Sequence, residues 1–101
     1  MRPTVSRRFA TLATPEAAYA FLADFTSTER WDPGTRRCVL LDGDGGVGTR
    51  YLNTSVFAGR EVQVTYETQA AEAPTRLHFV GTNETFTGHD VFGFRADPGG
   101  G

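Results

Sequence analysis

The sequence predicts an α+β domain in which a pair of short helices packs on one face of a curved antiparallel sheet. Three observations lead there. Residues 14–34, TPEAAYAFLADFTSTERWDPG, combine a sharp helix start, an apolar stripe and an aromatic stop. After them the hydrophobic period changes from helical to two. The later segments can also be registered against one another through their turns, so that apolar residues gather on one side of a sheet.

In chain order, residues 4–12 alternate weakly, with Val5, Phe9 and Leu12 apolar around Arg7 and Arg8, and read as a first strand leading into the helix. Thr14 can accept a hydrogen bond from a free N–H of the first helical turn, and Pro15 loses nothing at the first helical position. Ala18, Phe21, Leu22 and Phe25 recur at three- and four-residue spacing and are expected to form the face that meets the sheet. Ser27, Glu29 and Arg30 suggest a second, single-turn helix, which Trp31 and the turn residues Asp32, Pro33 and Gly34 bring to an end.

Residues 37–41, RCVLL, form a short apolar run bounded by turn residues and read as the second strand. Gly43, Gly45 and Gly48 satisfy the spacing G-x-G-x-x-G, but the dinucleotide fingerprint works only where a strand passes into a helix, and a strand follows here. A hairpin loop with positive φ is therefore expected. With Ala58 and Gly59 as a two-residue loop, Phe57 lies opposite Arg60, Ser55 opposite Val62, Asn53 opposite Val64, and Tyr51 opposite Tyr66. The other face carries Arg50, Leu52, Thr54 and Val56 beside Glu67, Thr65, Gln63 and Glu61, whose polar alternation marks it as the solvent side.

Past the loop around Pro74, the expected register sets Tyr66 opposite Leu77, Val64 opposite Phe79 and Glu67 opposite Arg76, with an Arg50, Glu67, Arg76 ladder on the outer face. A turn at Asn83 and Glu84 then brings Leu77 near Asp90 and Phe79 near Gly88. The inner face of the last strand becomes Phe86, Gly88, Asp90, Phe92 and Phe94. His78 meets His89 on the outer face, a pair that could hold a metal, although two imidazoles without a third ligand usually do not. The chain turns at Asp97 and Pro98.

Composition narrows the function classes. At 101 residues, 39% hydrophobic and 22% charged, the chain has the size of one soluble globular domain, and its apolar runs are too short to cross a bilayer. A formal net charge of −2 gives no general attraction to nucleic acid, although all ten basic residues are arginine. The single Cys38 cannot form an internal disulfide, so a buried thiol and a cytoplasmic location are expected. The N-terminal arginines suggest a targeting peptide only superficially, because Pro15 and Glu16 interrupt any apolar core. No cofactor or metal site is expected.

The stretch AYAFLADFTSTERWDPG resembles the first helical pair of the SRPBCC superfamily, the START-like and polyketide cyclase/dehydratase-like proteins, and the resemblance continues to about Phe94. It implies the helix-grip fold, in which a cavity lies between the curved sheet and the helices. In that fold a further strand and a long C-terminal helix follow the last strand read here. Residues 1–101 are accordingly expected to be a single SRPBCC-like domain, incomplete at the C-terminus. Its uncovered inner face and the edge of its last strand would then invite self-association.

The inward face mixes apolar Val62, Val64, Leu77, Phe79, Phe86 and Phe92 with polar Tyr51, Asn53, Ser55, Tyr66 and Asp90, which is the composition of a ligand pocket and also of an ordinary core with satisfied polar atoms. The resemblance favours the pocket. Trp31 matches the family's tryptophan after the short helix and either roofs that pocket or packs at the sheet edge. Asp90, a carboxylate among phenylalanines, could act as a general acid or base, or serve as a buried partner for Tyr66 or Asn53. Binding of a small hydrophobic ligand is the favoured function. The alternatives are a polyketide cyclase or dehydratase using Asp90 or a tyrosine for proton transfer, and a nonfunctional remnant.

Overall fold

In the computed structural model, residues 14–85 and 87–95 are described in full and residues 4–6 by their backbone. Phe9, Leu12, Phe86 and the turn at Asp97 and Pro98 lie outside the described residues. The helix α1, Pro15–Ala23, starts as its cap dictates: Thr14 Oγ1 accepts from the Ala17 N–H at 3.1 Å. Asp24 is extended and ends α1, and its carboxylate accepts from Thr26 N at 3.0 Å and Thr26 Oγ1 at 2.7 Å. A 3-10 turn, Phe25–Ser27, follows, and then α2, Thr28–Trp31.

This break corrects the expected apolar stripe. Once the helix stops at Ala23, Phe25 no longer shares a face with Phe21, so Phe25 is 2% exposed while Phe21 is 42% exposed. Tyr19, Leu22 and Ala23 turn toward the core instead, at the three- and four-residue spacing that puts them on one side.

Among the described residues the sheet has six strands in the order β1-β6-β5-β4-β3-β2: β1 Thr4–Ser6, β2 Thr35–Asp42, β3 Arg50–Phe57, β4 Arg60–Glu72, β5 Arg76–Thr82 and β6 Thr87–Gly93. From β2 to β6 each strand runs antiparallel to its neighbour. The β3/β4 register is the expected one at all eight pairs, from Arg50 opposite Glu67 to Phe57 opposite Arg60. Ala58 and Gly59 form its loop with φ of 53° and 77°, the two positive angles that match a hairpin's twist. The glycine-rich segment is a hairpin loop between β2 and β3, with φ of 104°, 100° and 89° at Gly43, Gly45 and Gly48. At Gly43 a Cβ would stand 2.6 Å from the Thr49 backbone, so only glycine fits.

Beyond β4 the pairing departs from expectation. β4 continues to Glu72, which lies opposite Arg76, and Ala71 lies opposite Leu77, Thr68 opposite Phe79 and Tyr66 opposite Gly81. After Thr68 the segment QAAE is poor in strand-forming residues but is held by its neighbours: Thr68 N–H donates to Thr49 O at 2.9 Å, and Thr68 O accepts from Gly48 N–H at 2.8 Å. A bulge between Thr68 and Ala70 absorbs the extra residue. Of the three-strand charge ladder, Arg50 and Glu67 stand opposite each other as expected, but Arg76 lies opposite Glu72 rather than Glu67, and the ion pairs are local. Arg50 Nε meets Asp42 Oδ2 at 3.1 Å and Arg76 meets Glu72 at 3.9 Å.

Between β5 and β6 the register is displaced by two residues from the expected one, with Leu77 opposite Phe92 and Phe79 opposite Asp90. A shift of two keeps every side chain on its face. The expected open edge of β6 is occupied over three residues, because β1 pairs with it in parallel, Val5 opposite Asp90.

The helical segment packs on the inner face as expected and closes its centre, where more large apolar side chains were expected to meet water. Leu22, Phe25, Cys38, Tyr51, Leu77, Phe79 and Phe92 form one buried cluster, with Leu77 and Phe79 at 0% exposure. At roughly 1.5–3 kcal/mol for each fully buried side chain, this cluster is the main source of the fold's stability.

Candidate functional site

Three strands and the 3-10 turn build the centre of the concave face. Phe25 reaches down from the turn and its ring lies 4.5 Å from that of Tyr66, 4.5 Å from Phe79 and 5.8 Å from Tyr51, all in tilted arrangements. Beneath it, Tyr66 lies flat over Gly81: a Cβ there would stand 2.5 Å from the tyrosine ring, so the glycine makes the seat for the aromatic. The Tyr51 hydroxyl donates to Ala23 O at 3.4 Å, and burial pushes its pKa up. Trp31 closes one side, with its ring edge-on to Phe92 at 6.0 Å and its indole N–H donating to Ser27 Oγ at 3.1 Å.

The polar members of this face are tied to the helices. Asn53 donates to Thr35 Oγ1 at 3.1 Å and to Thr28 Oγ1 at 3.3 Å, and accepts from Ser55 Oγ. Thr28 in turn donates to Phe25 O at 2.8 Å and Thr35 to Asp32 Oδ2 at 2.9 Å. This chain of bonds bolts β3 to the turn that carries Phe25. Cys38 sits beside it at 2% exposure, its pKa raised chiefly by burial, and its N–H donates to the Glu29 carboxylate at 2.7 Å.

The residues expected to line a site fall into two groups. Tyr51, Asn53, Val64, Leu77, Phe79 and Phe92 are buried in the packed centre. Trp31, Ser55, Val62, Tyr66 and Asp90 are half-buried and keep part of their surface toward solvent. Asp90 stands opposite Phe79 on β6, two residues from Phe92 and on the same face. Sequence reasoning assigned Phe25 to a helical stripe and missed both its central position and its support by Thr28 and Thr35. The signal was present in Asp24, Thr26, Ser27 and Thr28, a run of capping residues that stops one helix and starts another.

Elsewhere, the solvent side of the helices carries a groove of about 410 Å³ lined by Ala20, Phe21, Asp24, Thr26, Ser27, Glu29 and Arg30. On the convex face His78 Nε2 and His89 Nδ1 lie 2.9 Å apart with ring centroids at 5.2 Å. The rings meet tip to tip, a geometry that suits one shared proton better than a common metal ion. Burial, His89 and Arg76 together hold the His78 pKa below its usual value. Among the described residues no three His, Cys, Asp or Glu side chains gather as metal ligands, and no helix is long and apolar enough to cross a membrane.

Among curated proteins none matches this sequence. Residues 2–101 match the family described as polyketide cyclase / dehydrase and lipid transport. The concave sheet with its helical pair and the match across nearly the whole chain agree, and the chain belongs to the polyketide cyclase / dehydrase and lipid transport family.

Proposed function

We propose that the chain binds a small hydrophobic ligand between the helical segment and the concave face of its sheet. The observation that carries the reading is the division of that face: an aromatic centre where Phe25 meets Phe79 and Tyr66, the last only half-buried, flanked by half-buried Trp31, Ser55, Val62 and Asp90. Such a surface offers a mostly apolar contact with a few polar groups to orient a ligand. The family's description, which joins lipid transport to cyclase and dehydrase chemistry, supports the same reading.

A fluorescence titration with anilinonaphthalenesulfonate tests it. Saturable, one-to-one binding is expected, weakened by Tyr66→Ala or Phe92→Ala and unchanged by Glu61→Ala on the convex face. Unsaturable binding, or equal effects from all three variants, would count against it.

A second reading rests on Asp90, a carboxylate half-buried beside Phe79 and Phe92 on the face that would hold the ligand. In that reading the same site performs proton transfer on a polyketide-like substrate, with Asp90 or Tyr66 as the acid or base. Asp90→Asn keeps the shape and removes the proton, so it should abolish turnover and leave affinity nearly intact. Undiminished turnover would leave binding alone.

A further inference from the structure

We infer that Phe25 is an internal stopper, which occupies the centre of the ligand site in the free chain and leaves it when a ligand enters. The inference rests on the proposed ligand site and states how that site is regulated. Phe25 is 2% exposed and touches Tyr51, Tyr66 and Phe79, so the deepest part of the concave face is filled by the protein's own side chain. A ligand seated against Phe79 must take the place of that ring.

The ring is carried on a short segment set off from α1. It stands on a three-residue 3-10 turn between two separate helices, and Asp24 before it is extended, with φ −86° and ψ 103°. The helical hydrogen-bond ladder is therefore interrupted on the N-terminal side of Phe25. On that side the turn is held by the Asp24 carboxylate on Thr26, two exposed hydrogen bonds, and by the Ser27 N–H donating to Asp24 O at 2.9 Å. On the far side Thr28 Oγ1 donates to Phe25 O and is itself tied to Asn53, a buried anchor on the backbone that leaves the displacement to the ring. The strands beneath are fixed by their ladders, unbroken between β3 and β4 and interrupted between β4 and β5 by the bulge at Thr68 and Ala70, and the moving part is the stopper rather than the sheet.

A ligand that binds only the unstoppered form sees its affinity reduced by the fraction of chains that are open. Removing the ring removes that penalty. The test compares wild type, Phe25→Ala and Leu22→Ala, the last a buried α1 residue whose loss destabilises the core without emptying the seat. Each is titrated with anilinonaphthalenesulfonate at equilibrium and by stopped flow.

Phe25→Ala is expected to bind at least about tenfold more tightly than wild type, with Leu22→Ala gaining nothing comparable. The wild-type observed rate should level off at high probe concentration, at the rate of opening, and Phe25→Ala should lose that plateau. Equal or weaker binding by Phe25→Ala beside a wild type that binds would overturn the stopper and leave the site intact. Absence of binding by both folded chains would remove the site itself. If Phe25→Ala does not fold, wild-type NMR decides: loss of the Phe25 contacts to Tyr66 and Phe79 on adding the probe supports the inference, and their persistence in the complex overturns it.

Discussion

The two faces of this sheet meet opposite demands. The concave face gathers Tyr51, Val64, Leu77, Phe79 and Phe92 under the helical segment, and its polar atoms at Asn53, Thr28 and Thr35 are bonded to one another. The convex face repeats Glu61, Gln63, Thr65 and Glu67 along β4, where the side chains range from half-buried to exposed. Backbone pairing is common to both faces, so side-chain burial alone separates them. Stability and ligand contact should therefore respond to substitutions on the concave side and hardly at all to those on the convex side.

Phe79→Ala gives the largest expected effect, a loss of about 3–5 kcal/mol in denaturant unfolding, because it empties a fully buried position under Phe25. Glu61→Ala, its convex counterpart, should cost less than about 0.5 kcal/mol. Similar costs would erase the distinction between the faces.

Asn53→Ala sharpens it from the polar side. The variant leaves the Thr28 and Thr35 hydroxyls without their shared partner in a buried site, and unfolding should be easier by about 1–3 kcal/mol. A cost near zero would mean that the bolt between β3 and the helical turn contributes only position.

Two smaller effects lie away from the concave centre. Ala58 holds φ 53° in the β3/β4 loop, a conformation that asparagine tolerates better, so Ala58→Asn should raise stability by about 0.5–1 kcal/mol. The last concerns His78. Its pKa is lowered in the fold by burial and then by His89 and Arg76, so the unfolded chain takes up the proton more readily. The stabilisation is complete above the unfolded pKa of about 6.5 and is lost as pH falls from there through the lowered folded value. Thermal midpoints should therefore drop on mild acidification in wild type, and less steeply in His78→Gln. Parallel profiles would show that the histidine pair does not couple to folding.

These regions also differ in how far they could be read from residues alone. The β3/β4 register was legible because two residues, Ala58 and Gly59, join two strongly patterned strands, and a loop that short leaves one pairing. The β4/β5 register was not. Gln69, Ala70 and Ala71 carry no strand pattern, and β4 extends through them because Thr49, Gly48 and β5 supply partners from elsewhere. The inner face survived this error at β6, where a two-residue displacement preserves the alternation. The aromatic composition of the concave face was visible in Tyr66, Phe79 and Phe92. The place of Phe25 against Tyr66 and Phe79 was not, since that depends on the helix stopping at Asp24 rather than on any apolar period.

The most direct test of the central claim, that the concave face is the ligand surface, is a map of backbone amide shifts in an NMR titration with a medium-chain fatty acid. Shifts are expected to be concentrated at Phe25, Trp31, Ser55, Val62, Tyr66 and Asp90, with Glu61, Gln63 and His89 left in place. Shifts gathered on the convex face or along the outer edge of β2, or none at saturating ligand, would contradict it.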